Sequence, residues 1–249
     1  PGLRFLHSPT PMSPTLSIVV PVYNEAAFIP QALPLLISEM ESLGLEYRIH
    51  LVENGSNDGS AEVARSVAGQ APVTVSSLPA ADYGAAMRHG FLEAEGEWVV
   101  NFDIDYFSAR FLQQVMSTTD ADLVIGSKRN PSSEDRRPPI RRLATWVFNI
   151  LLRTILGSKV SDTHGMKAFR RNLVDDLAGL VVSRKDLYDT ELVIRAERSG
   201  YRIVEVPVVV EEIRAAKSSL VKRVPRTVVG LIRIRRILRN QSSPQPSSA

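Results

Sequence analysis

The acidic triplet Asp103-Ile104-Asp105 follows an apolar run, Trp98-Val99-Val100-Asn101-Phe102, that reads as a buried strand. Two carboxylates two residues apart, where a strand passes into a loop, can both reach one site. One can grip a divalent cation directly. The other can hold it through a water or steady a sugar hydroxyl. Hard oxygen ligands of this kind suit Mg²⁺ or Mn²⁺, whose shells are commonly completed by phosphate oxygens of a substrate. Solvated loops carry many such triplets, so its meaning depends on the elements that position it.

Those elements alternate. Leu16-Ser17-Ile18-Val19-Val20 is a strand closed by Pro21, and residues 30–43 are expected to be helical despite Pro34. Residues 48–52 form the next strand, which stops at the turn cluster Glu53-Asn54-Gly55-Ser56-Asn57-Asp58-Gly59. A helix over 60–68, a short strand over 73–75 and a helix over 83–94 lead to the strand before Asp103. The alternation predicts an α/β fold with a mainly parallel sheet flanked by helices. Ligands bind such sheets at the carboxyl ends of the strands. Three polar clusters fall there: 21–25, 53–59 and 103–105. Further on, a strand over 122–126 precedes a charged loop over 128–139, long enough to act as a mobile lid. An apolar helix over 143–156, a helix over 186–199, a strand over 201–210 and a basic, apolar helix over 220–239 follow.

With 249 residues, the chain has room for one large domain, or for a domain with an appendage. The expected organisation is a flexible tail over 1–15, a catalytic-type domain over 16–219, an amphipathic helical segment over 220–239 and a polar tail over 240–249. The absence of cysteine excludes a disulfide scaffold, a thiolate metal site and a cysteine nucleophile, and it fits a reducing, cytoplasmic setting. No apolar run approaches the roughly 20 residues needed to span a bilayer. Net charge is only +3, but basic residues cluster over 128–142 and 214–239, which suits anionic ligands such as nucleotides, phosphates or acidic lipid head groups. Few aromatics interleave the basic tail, which argues against nucleic acid as a partner.

Val20-Pro21-Val22-Tyr23-Asn24-Glu25, the 53–59 turn, Gly84-Ala85-Ala86-Met87-Arg88-His89-Gly90, Asp103-Ile104-Asp105, Gly126-Ser127-Lys128, Asp162-Thr163-His164 and Tyr188-Asp189-Thr190-Glu191 occur in this order. As an ordered set they resemble the family 2 glycosyltransferases, and within them the dolichol- or polyprenol-phosphate mannose synthases, over residues 16–219. The departures are Glu53-Asn54 for two aspartates, Lys128 for Arg and His164 for Gln.

The resemblance implies a GT-A fold, a nucleotide-diphosphate sugar donor such as GDP-mannose or UDP-glucose, and inversion at the anomeric carbon. It implies donor contacts from Pro21, Tyr23, Glu25, Glu53, Asp103, Asp105, Arg214 and Lys217. Asp103, Asp105 and His164 become candidate ligands of Mg²⁺ or Mn²⁺. Arg129 and Arg142 become candidate acceptor contacts, with Asp105, Arg142 and Asp189 as the catalytic set. The leading expectation is hexose transfer to a polyprenyl phosphate, which needs cations rather than a base. The rival is transfer to a soluble or glycan hydroxyl with Asp189 or Glu191 as base. A rival of another class is an inactive nucleotide-sugar-binding protein. The apolar stripe over 143–156 and the basic segment over 220–239 are either core or a surface for peripheral membrane contact on the cytoplasmic face.

Overall fold

The computed structural model describes residues 15–211 and 220–240. The apolar, β-branched run Leu16–Val22 forms β1, buried along almost its whole length as expected of a central parallel strand. Strands β2 (Tyr47–Asn54) and β3 (Val73–Leu78) lie to one side of it, and β4 (Trp98–Asn101) to the other. The third strand runs three residues beyond the expected 73–75.

Helices α1 (Ile29–Glu41), α2 (Ser60–Ala68) and α3 (Tyr83–Glu93) make the connections. Pro34 is accommodated inside α1 on an exposed position, while Leu33 and Leu36 beside it face the core. Asp82 caps α3, its carboxylate accepting from the Ala85 N–H at 3.2 Å.

Beyond Asp103 the structure departs from the expected reading in several places. A helix α4 (Ala109–Ser117), capped by Ser108, follows the acidic loop and had no forecast. Strand β5 (Leu123–Ser127) is as expected. The 128–139 loop is not a free lid, because its residues Glu134–Asp135 form β6 and pair with a later strand. The helix placed at 143–156 begins earlier, as α5 (Pro139–Leu151), and ends in a π-helical turn, Leu152–Leu156.

Strand β7 (Lys167–Arg170) was also not foreseen. It inserts between β4 and β5 and runs antiparallel to both. Helices α6 (Arg171–Leu177) and α7 (Tyr188–Arg198) follow. The single strand expected over 201–210 is two: β8 (Ile203–Pro207) beside β5, and β9 (Val209–Val210) paired with β6. Helix α8 (Leu220–Asn240) runs unbroken through Pro225.

The main sheet has the order β3-β2-β1-β4-β7-β5-β8, parallel except for β7. One apolar cluster packs α1 and α4 on one face, through Leu33, Leu36, Phe111 and Leu112. A second packs α3, α6 and α7 on the other, through Met87, Phe91, Leu173 and Leu192. A third joins the π-helical turn to α7 and α8 through Leu152, Leu156, Ile194, Leu231 and Ile234. No helix among the described residues is long and apolar enough to cross a membrane.

Candidate active site

The loops after β1 and β2 are stitched together by side chains. The Asn24 N–H donates to Ser56 Oγ at 2.9 Å, and the Glu25 N–H to Ser60 Oγ at 2.8 Å. The Ala26 N–H donates to Asp58 Oδ2 at 3.0 Å, and the Asn57 N–H to Asn24 Oδ1 at 3.1 Å. Asn24 turns with a φ of 52°, a conformation asparagine tolerates better than most residues. This holds Pro21, Tyr23 and Glu25 beside the acidic turn, with the Tyr23 ring 47% exposed at the strand end.

Within the turn, the buried Glu53 accepts the Ser56 N–H. Asn54, in place of an aspartate, accepts the Asp82 N–H at 2.7 Å and so ties the turn to the start of α3. Gly55 has a φ of 68°, and a Cβ there would stand 2.6 Å from the Ala80 carbonyl carbon. Only glycine meets both demands.

The acidic triplet sits on a tight reversal. The Tyr106 N–H donates to the Asp103 carbonyl at 2.9 Å, and the Asp103 N–H to the Tyr106 carbonyl at 3.3 Å. Ile104 is buried beneath, so Asp103 and Asp105 are carried on an anchored loop. Asp103 is open to solvent on one side and walled by protein on the others. That burial, and then the Asp105 charge, push its carboxyl up to about 6. A divalent cation would relieve this repulsion between two hard oxygen donors, so the pair fits Mg²⁺ or Mn²⁺.

The opposite wall comes from β5, β7 and α7. Lys128 Nζ donates to the His164 carbonyl at 2.6 Å and pairs with Asp162 Oδ2 at 3.1 Å. Burial works to raise the Asp162 carboxyl, but Lys128 and the His164 N–H overcome it and hold it below the usual range. The His164 ring stands edge-on to Phe148 at 4.6 Å. Burial pushes its imidazole down to about 4 against the pull of Asp162, so the ring is neutral near pH 7 and can act as a ligand.

Lys167 is wholly buried, donates to the Gly165 carbonyl at 2.6 Å and pairs with Asp189 Oδ2 at 3.1 Å. The Tyr83 hydroxyl donates to the same oxygen at 3.2 Å. Asn101, in the amide orientation that satisfies both its ends, does so too at 3.2 Å. Asp189 Oδ1 is buried and has no hydrogen-bond partner among the described residues. Asp103 lies within electrostatic reach of Asp105, Lys167, Asp189 and Lys128, and His164 within reach of the last three. These side chains form one cluster.

Other expected residues stand elsewhere. Arg129 and Arg142 are exposed, the latter in the first turn of α5. Arg214 and Lys217 lie outside the described residues. Glu191 is not a candidate base. It is fully buried, accepts the Val182 and Ser183 N–H groups at 3.2 and 2.7 Å, and takes Arg195 Nε at 2.8 Å, so both its oxygens are committed. Among the described residues no three His, Asp or Glu side chains are gathered so that they could hold one metal ion. Lys167, Tyr83 and Asn101 were missed. Only the lysine left a trace, as a cation set between Met166 and Ala168-Phe169.

The model of the family described as Glycosyl transferase family 2 matches residues 17–178, more than half of the chain. The chain belongs to this family. An uncharacterized glycosyltransferase of Mycobacterium tuberculosis is 33% identical over 196 residues, covering 78% of this chain and 84% of that protein. Glycosyltransferase AglD of Haloferax volcanii is 29% identical over 202 residues, covering 78% of this chain but only 32% of AglD. The chain thus spans about a third of that relative. Among solved structures, glucosyl-3-phosphoglycerate synthase from Mycobacterium tuberculosis, crystallised with Mn²⁺, UDP-glucose and phosphoglyceric acid, superposes with a TM-score of 0.66. It shares 18% identity, with 95% of this chain and 88% of that one covered, and shows that the fold is of the GT-A type. The family 2 match takes in every strand-end cluster and the Asp103-Ile104-Asp105 loop. Asp189 lies beyond it, so its place in this family 2 chain rests on its contacts alone.

Proposed function

We propose that this family 2 glycosyltransferase moves a hexose from a nucleotide-diphosphate sugar to an acceptor hydroxyl, with Asp103 and Asp105 holding Mg²⁺ or Mn²⁺ and Asp189 as general base. His164, neutral and next to the Lys128–Asp162 pair, is proposed as a third ligand that a bound cation would draw in, since the three side chains are not gathered in this structure. The observation that carries the reading is Asp189 itself. One of its oxygens is held by Lys167 and Tyr83, and the other is buried, unpartnered among the described residues and within electrostatic reach of Asp103.

The bound cation would neutralise charge building on the leaving diphosphate. Pro21, Tyr23, Glu25 and Glu53 line the strand ends where the nucleoside would lie. Asp189 Oδ1 takes the acceptor O–H proton as the acceptor oxygen bonds to the anomeric carbon. The bond from that carbon to the diphosphate oxygen breaks on the opposite face, so configuration inverts. The acceptor reading is supported by glucosyl-3-phosphoglycerate synthase, whose complex holds UDP-glucose with phosphoglyceric acid, a small hydroxy acid.

A second reading keeps the donor and replaces the acceptor with a polyprenyl phosphate. It is favoured by Arg142, exposed at the start of a helix whose outer face is apolar. An ionised phosphate needs no base, so cations such as Arg142 and Arg129 would hold it. Turnover of GDP- and UDP-hexoses with Mn²⁺ or Mg²⁺, offered phosphoglycerate-type hydroxy acids or polyprenyl phosphate, separates the two. Arg142→Ala loses activity only in the second reading, and Asp189→Asn only in the first.

A further inference from the structure

Helix α5 turns its apolar side to solvent. Ile140, Leu143, Trp146, Val147 and Ile150 are between 38% and 63% exposed. Their spacing places them on one helical face. Five large apolar residues side by side on a surface call for a partner. Helices α5 and α8 themselves carry charge of one sign, and the acid near Arg142, Asp135, is taken up by Arg137. Segment 139–156 carries Arg141, Arg142 and Arg153 and no acid, and segment 220–240 carries seven Lys and Arg and no acid. Arg142 and Arg153 are exposed beside the apolar face. The π-helical turn that ends α5 packs on α8 through Leu152, Leu156, Leu231 and Ile234, and α8 exposes Arg233, Arg236 and Arg239.

We propose that α5 and its closing turn, with α8 beside them, form a docking surface for an anionic lipid bilayer. The apolar face enters the boundary between head groups and acyl chains, and the arginines meet the head groups. Trp146, 49% exposed, is the amphipathic ring expected at that depth. A second copy of the chain fits poorly, since pairing these faces would gather the arginines of two helices that carry no acid of their own. Nucleic acid would leave the apolar side chains uncovered. The proposal does not depend on which acceptor is used. It does connect the surface to the site: Phe148, on the inner side of the same helix, carries the ring that packs at 4.6 Å against His164.

The test is co-sedimentation of the full chain with phosphatidylcholine vesicles, with and without phosphatidylglycerol. Trp146 serves as reporter, because the other tryptophan, Trp98, is only 2% exposed. The expected results are a blue shift of Trp146 emission with anionic vesicles and at least about tenfold weaker binding to neutral ones, since each cation near an anionic leaflet strengthens binding by about fivefold. The variant Leu143→Gln/Ile150→Gln, altered only at exposed positions, should keep its melting temperature and lose about tenfold or more in binding. Absence of anionic binding, binding without a Trp146 shift, or an unaffected variant would overturn the proposal. So would a concentration-dependent dimer that the same variant abolishes.

Discussion

Lys167 secures Asp189 from behind, its ammonium 3.1 Å from Asp189 Oδ2, with 1% and 8% of the two side chains exposed. The strand that brings the lysine runs against its neighbours, and Lys167 stands in register with Asn101, just before the acidic triplet. A buried pair of this kind contributes little net stability, but removing one partner strands the other. Lys167→Met should therefore destabilise the protein by about 3–5 kcal/mol in urea unfolding. Adding Asp189→Leu should restore part of the loss. A single mutant as stable as wild type would show that the pair is not formed.

Asp189 and Glu191 lie two residues apart on α7 and should behave differently. Asp189→Asn should lower turnover by roughly 10²–10⁴-fold with donor binding retained, as loss of a general base does. Glu191→Gln should instead cost about 3 kcal/mol of stability by removing the buried carboxylate that faces Arg195, while the folded enzyme turns over near the wild-type rate. Steady-state kinetics beside denaturant melts distinguish the two. The reverse pattern would assign the base to Glu191.

The acidic turn depends on Gly55. A side chain there meets the Ala80 backbone at 2.6 Å and adopts a strained φ. Gly55→Ala should cost at least about 1–3 kcal/mol and weaken nucleotide binding, because the Glu53 turn must shift. Calorimetric titration with UDP and GDP, alongside thermal melts, measures both. Unchanged values would remove the turn from the donor site.

His164 tests the metal site without reliance on turnover. His164→Ala should weaken Mn²⁺ binding by roughly tenfold or more, and His164→Gln should recover part of it. Paramagnetic titration of free Mn²⁺ in the presence of UDP reads this directly. Equal affinity in all three proteins would return His164 to a packing role against Phe148.

The strand-end clusters were legible in the sequence because each follows an apolar, β-branched run and ends in turn chemistry. The first three helices were legible from their spacing. Strand β7 was not, because Lys167-Ala168-Phe169-Arg170 is short and has a charged residue at each end. A buried lysine there looks like a solvated one until Asp189 arrives from residues far along the chain. The same strand is why the sheet is not wholly parallel. The 128–139 loop read as a lid because its proline and charge content hides a two-residue strand, β6, whose partner β9 lies some seventy residues on. Glu191 matched a motif as well as Asp189 did. Only packing shows that its oxygens are spent on backbone N–H groups and Arg195.

The central claim is a metal-dependent transfer site built on Asp103 and Asp105. It is tested most directly by measuring nucleoside-diphosphate release from UDP- and GDP-hexoses with Mn²⁺, in wild type and Asp105→Ala, with and without EDTA. The account predicts donor turnover in wild type that EDTA abolishes and Mn²⁺ or Mg²⁺ restores. It predicts none in Asp105→Ala, whose melting temperature stays near wild type because a loop acid usually contributes within about 0.5 kcal/mol. Wild-type turnover in Asp105→Ala at saturating metal, or turnover indifferent to EDTA, would contradict it.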